Sequence, residues 1–121
     1  MKSFLPFDLD PPIDAYGNED MWVFNWTVAY SKTRLRYLKF SLCVNGVFIP
    51  NCRVIGGKIH PPQTRYGKNY FSVVHATSEF CGKLHELLNT LIKNESLPIA
   101  LEPPETACAS WKLESDKLRI M

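Results

Sequence analysis

Asn45-Gly46 lies between two runs in which apolar and polar residues alternate, and it constrains the fold of this chain more than any other feature. A type I′ hairpin turn needs positive φ at both central positions, which Asn and Gly adopt at the least steric cost. On its N-terminal side Leu38, Phe40, Leu42 and Val44 alternate with Tyr37, Lys39, Ser41 and Cys43; on its C-terminal side a strand is predicted from Val47 to Ile55. An earlier strand starts at Met21, with Trp22, Phe24, Trp26, Val28 and Tyr30 on one face and Val23, Asn25, Thr27 and Ala29 on the other. Ser31-Lys32-Thr33-Arg34 is its turn. Pro50 has no amide donor, so the strand that holds it is expected at a sheet edge or bulged there.

Gly56-Gly57 reads as the next turn, and Lys58-Ile59-His60 as a short strand stopped by Pro61-Pro62. A basic loop, Gln63 to Lys68, leads to a further strand over Asn69 to Ala76. At Thr77-Ser78 the apolar period changes from two to about 3.6. Phe80, Leu84, Leu87, Leu88, Leu91 and Ile92 then form one stripe, which predicts an amphipathic helix capped by Thr77 or Ser78 and stopped near Asn94. Beyond it Pro98, Pro103 and Pro104 keep the chain extended, and the weak alternation of Ala109 to Met121 predicts a small hairpin. The expected fold is α+β: a twisted antiparallel sheet of four to five strands with one C-terminal amphipathic helix packed on it. Residues 1–20 form an acidic arm without regular structure, residues 21–94 the sheet-plus-helix domain, and residues 95–121 a proline-containing extension.

Charge is sorted along this frame. Met1 to Met21 has one base and five acids, Trp22 to His75 has eight bases and no acid, and Ala76 to Met121 has five bases and seven acids. The overall charge of +2 thus conceals a strongly basic sheet region in which cations interleave with aromatic residues, a pattern suited to polyanions. Length and an apolar fraction of 45% fit one domain that buries its own core. No apolar run approaches the roughly 20 residues that span a bilayer, and the N-terminal one is too short for a signal peptide. A cytoplasmic protein without a membrane partner is expected. Cys43, Cys52, Cys81 and Cys108 show no metal-ligand spacing and read as free, buried thiols; a two-residue turn at Asn45-Gly46 sets Cys43 opposite Phe48 and Cys52 opposite Lys39, which argues against a bridge between them.

Catalytic patterns are poor. His60, His75 and His85 have no triad partners at a recognisable spacing, and Gly56-Gly57-Lys58 lacks the length and the Ser or Thr of a phosphate cradle. Neither an enzyme nor a cofactor is expected.

The stretch Phe48-Ile49-Pro50-Asn51-Cys52-Arg53-Val54-Ile55 before a glycine turn, Pro61-Pro62 before a basic loop, Tyr70-Phe71-Ser72-Val73-Val74-His75, and the stripe of Phe80, Leu84 and Leu88 follow one another in order. Together, from about Leu38 to Leu91, they resemble the SpoVG family of small bacterial and phage-encoded proteins. The resemblance implies an antiparallel sheet with a helix against it, a homodimer, and binding of DNA or RNA without catalysis. It also implies a basic residue early in the helix at the nucleic acid, for which Lys83 is the match. The long acidic arm and the tail after Glu95 depart from the family pattern.

The candidate nucleic-acid contacts are Lys32, Arg34 and Arg36 in the first hairpin, Lys39, Arg53 and Lys58 on or beside strands, Arg65, Tyr66 and Lys68 in the basic loop, and Lys83 in the helix. Loop cations approach phosphates freely, and Tyr66 or Tyr37 offers a ring on which a base can stack. A protein-binding module, such as a phage-encoded inhibitor of a host nucleic-acid enzyme, is the other expectation, acting through the acidic arm or an open strand edge with a host protein as partner.

Overall fold

The computed structural model describes residues 10–32, 34–62 and 74–113. Five strands form one antiparallel sheet in sequence order: β1 (Tyr16–Asn18), β2 (Met21–Ser31), β3 (Arg34–Val44), β4 (Val47–Ile55) and β5 (Lys58–His60). Helix α1 (Ser78–Asn94) and the short α2 (Pro104–Ala107) follow, and residues 109–113 are helical as well. Asn45 and Gly46 have φ of 50° and 82°, and Val44 pairs with Val47 across them, as a type I′ turn requires. Gly56 and Gly57, also at positive φ, close the same kind of turn between β4 and β5.

The main core lies between one sheet face and α1. Val23, Leu38, Phe40, Leu42, Ile49, Cys52, Val54 and Ile59 meet Phe80, Leu84, Leu88, Leu91 and Trp111, all buried. Removing a side chain of this size from water is worth about 1.5–3 kcal/mol, so this face holds the sheet to the helix. Thr77 accepts a hydrogen bond from the Phe80 amide at 3.1 Å and caps α1, as expected.

Three bulges decide which residues face the core. Phe24 pairs with Ser41 but Thr27 with Lys39, so β2 carries an extra residue at Asn25-Trp26, where Asn25 has φ 54°. The expected single stripe from Trp22 to Tyr30 is therefore broken. Met21 and Val23 face α1, Trp22 and Phe24 turn to the opposite face and cluster with Cys43, Ala15 and Phe48, and Trp26 and Val28 return to the core side. A second bulge at Pro50-Asn51 confirms the irregularity expected from Pro50. It also moves the register by one, so that Cys43 faces Phe48 as expected but Cys52 faces Phe40, and Arg53 takes the place opposite Lys39. All four cysteines are free and buried. A third bulge falls at Arg36, between the pairs Ala29–Tyr37 and Tyr30–Leu35.

Other expectations are corrected. The arm is not wholly irregular, because Tyr16–Asn18 pair with β2. Val74–Ala76, the described end of the expected last strand, do not join the sheet. α1 is not the sole helix, and residues 109–113 form a helical turn instead of a strand, so that Trp111 is fully buried with its ring centroid 5.5 Å from that of Phe80. None of the helices described is long and apolar enough to cross a membrane.

Candidate nucleic-acid interface

The face of the sheet turned away from α1 carries its cations in register. Lys39 on β3 lies directly opposite Arg53 on β4, and Arg53 directly opposite His60 on β5, so three neighbouring strands place three nitrogen bases in one row. Thr27 continues the row onto β2. Strands in a sheet lie about 4.8 Å apart, which sets Lys39 and His60 about 10 Å from each other across Arg53. Like charges directly opposite one another destabilise a sheet.

Lys39 and Arg53 are the cations of this row, and the third group, His60, is held toward its neutral form. Arg53 sits with its guanidinium carbon 5.3 Å from the centroid of the Tyr37 ring, a cation–π contact along the same face, and its Nε has no hydrogen-bond partner among the described residues. An arginine stays charged at any physiological pH. Partial burial holds the His60 imidazole below its ordinary pKa, and the positive charges of Lys58 and Arg53 push the same way. Among the described residues no carboxylate pairs with Lys39 or Arg53. The absence of acids from Trp22 to His75 accounts for this, since neutralisation would require a carboxylate from another segment.

The structure divides the remaining candidates. Lys32, Arg34 and Arg36 are exposed at the far end of the β2–β3 hairpin, and among the described residues they too form no ion pair. Lys58 pairs with Glu102 at 3.3 Å, and Lys83 pairs with Asp20 at 2.8 Å. Those two cations are compensated. Lys83, the helix position that the family resemblance points to, is bound by an acid of the arm, and it holds the Asp20 carboxyl below its usual pKa. Arg65, Tyr66 and Lys68 lie outside the described residues.

Where the arm is described, its backbone pairs with β2 and its side-chain polar contacts are with the helix and its end. Asp20 takes Lys83, and the Tyr16 hydroxyl donates to Glu95 just past the end of α1. His60 is the residue that a strand-by-strand reading misses. Counting from the Gly56-Gly57 turn places it opposite Arg53, and that register is the signal that would have found it.

The other polar groups have structural partners. His85 Nε2 lies 2.7 Å from the Glu102 carbonyl, an acceptor, so the proton is on Nε2 and the ring ties α1 to the segment before α2. Cys81 and Cys108 donate to one another's carbonyl oxygens at 4.0 and 3.4 Å, joining α1 to the end of α2. Among the described residues no three His, Cys, Asp or Glu side chains are grouped to hold a metal.

No family model, curated protein or solved structure matches the chain.

The arrangement is thus a sheet face with cations in register and an aromatic ring beside them. Such a face can bind phosphates through Lys39 and Arg53 and offer planar groups to bases.

Proposed function

We propose that this chain is a small, non-enzymatic nucleic-acid-binding protein, a divergent SpoVG-like regulator that grips phosphates with the outer face of its sheet. The observation that carries this reading is the cross-strand row of Lys39, Arg53 and His60, which no carboxylate among the described residues compensates. Support also comes from the contrast with Lys58 and Lys83, which have acidic partners of their own. The contact set proposed from sequence narrows accordingly, away from the helix and toward the sheet face and the β2–β3 hairpin.

Fluorescence anisotropy with a mixed-sequence labelled duplex, titrated across salt concentrations, tests the proposal. Binding is expected to weaken steeply with salt, with a logarithmic slope of about −0.9 for each phosphate neutralised. Lys39→Glu combined with Arg53→Glu is expected to weaken binding by at least about tenfold and to flatten the slope by about two phosphates' worth. Both side chains point away from the core, so circular dichroism should report an unchanged fold. Unaltered affinity in this variant would show that the sheet face is not the contact.

A further inference from the structure

The β2–β3 hairpin outruns the rest of the sheet. β1 covers β2 only from Met21 to Val23, and the pairing of β4 with β3 ends at Leu38, so the pairs Ala29–Tyr37, Tyr30–Leu35 and Ser31–Arg34 form a two-stranded ribbon with both outer edges open among the described residues. Its end carries Lys32, Arg34 and Arg36, all exposed. Edge strands are commonly guarded by such cations against pairing with other chains, and that role alone would account for three charges. It does not account for Tyr30 and Leu35, a cross-strand apolar pair left 58% and 38% exposed at the same end. Beside them Ser31, Arg34, Leu35 and Arg36 line a shallow concavity of about 380 Å³.

We infer that this ribbon enters the major groove of B-form DNA, with Arg34 and Arg36 at the base edges; the inference rests on the nucleic-acid reading above and adds the class of nucleic acid to it. A two-stranded ribbon fits a groove about 12 Å wide and 8.5 Å deep. The three steps from Tyr37 to Arg34, at about 3.3 Å each, give a reach of about 10 Å, comparable with that depth. Arginine in the major groove binds guanine O6 and N7 bidentately, and an apolar side chain there meets the thymine methyl group, so both kinds of residue at the ribbon end have a partner. The major groove of A-form RNA is too narrow and deep for side chains to read, and a single strand has no groove, so the ribbon distinguishes duplex DNA from both. Lys39 and Arg53, behind the ribbon on the outer face, are then left to the phosphates.

Anisotropy with three labelled probes of one sequence, a DNA duplex, an RNA duplex and single-stranded DNA, tests this on the full chain, together with dimethyl sulfate footprinting of the DNA duplex. The expected result is at least about tenfold tighter binding to the DNA duplex than to either other probe, a preference of the size one base-specific contact provides. Arg34→Ala with Arg36→Ala is expected to abolish that preference while salt-dependent binding through Lys39 and Arg53 persists. Footprinting of the unaltered protein should show guanine N7, in the major groove, protected from methylation. Equal binding to all three probes, a preference that survives the double substitution, or protection confined to adenine N3 in the minor groove would overturn the ribbon's role and leave the sheet-face reading standing. Failure to bind any of the three probes would overturn both.

Discussion

His60 links the chemistry of the candidate interface to pH. Its imidazole is held below the ordinary value near 6.5 by partial burial, with Lys58 and Arg53 adding to the effect. In the free protein the folded state therefore resists protonation more than the unfolded chain does. The stability that His60 contributes is fully present above about pH 6.5 and is lost as the pH falls from there to its lower folded value. A bound polyanion reverses the local field and raises the imidazole pKa. Binding should then take up a proton, and affinity should increase as the pH is lowered from 7 to 5.5. His60→Gln is expected to remove that increase while leaving the salt dependence intact, which parallel anisotropy titrations at several pH values would show. An identical pH profile in this variant would mean that the imidazole is not at the interface. At this scale Lys39 was legible in the sequence, because simple alternation puts it on the face away from the core, whereas the place of Arg53 opposite it depends on the bulge at Pro50-Asn51. The place of His60 beside Arg53 follows from counting register across the Gly56-Gly57 turn, a step that alternation within one strand does not supply.

Bulges are the element-scale feature that redirects the fold. Without the extra residue at Asn25-Trp26, the aromatic side chains from Trp22 to Trp26 would share one face; with it, Trp22 and Phe24 build a second cluster with Cys43 while Trp26 packs beside Tyr16, their ring centroids 5.3 Å apart. Asn25 sits at φ 54°, a conformation that costs a branched side chain about 1–2 kcal/mol and glycine almost nothing. Asn25→Val should accordingly lower the unfolding free energy by about that amount, and Asn25→Gly should stay within about 0.5 kcal/mol of the parent, as measured by urea denaturation. Equal effects of the two substitutions would argue against the bulge. The type I′ turn, the antiparallel meander up to β5 and the limits of α1 were readable because each rests on local rules of φ or on period. The irregularity at Pro50 was readable from its missing amide, but the bulge at Asn25-Trp26 was not, because an asparagine at positive φ leaves the apolar alternation of its neighbours in place. The C-terminal helical segments were missed for another reason. Trp111 and Leu113 are spaced like strand residues in so short a window, and Pro104, which by itself suggests an extended chain, is equally suited to the first position of a helix, where it stands in α2.

For the whole molecule, the decisive property is how charge is partitioned. Asp20 and Glu102, from segments on either side of the acid-free stretch, pair with Lys83 and Lys58, and Glu95 accepts from Tyr16, so these carboxylates tie the segments that flank the sheet to α1 and to β5. The outer sheet face keeps Lys39 and Arg53 without such partners among the described residues, which leaves it as the positive side of a chain of nearly balanced charge. The segregation in sequence was visible at once, but which cations stay uncompensated depended on long-range pairings such as Asp20 with Lys83. A chemical-shift titration of isotopically labelled protein with a short DNA duplex at low salt tests the outer face as the binding surface most directly. The expected result is a contiguous set of perturbed signals on Tyr37, Lys39, Arg53 and His60 running into Arg34 and Arg36, with the exposed side of α1 around Glu79, Glu86 and Lys93 unchanged. Perturbations centred on α1 with the outer face silent would contradict it.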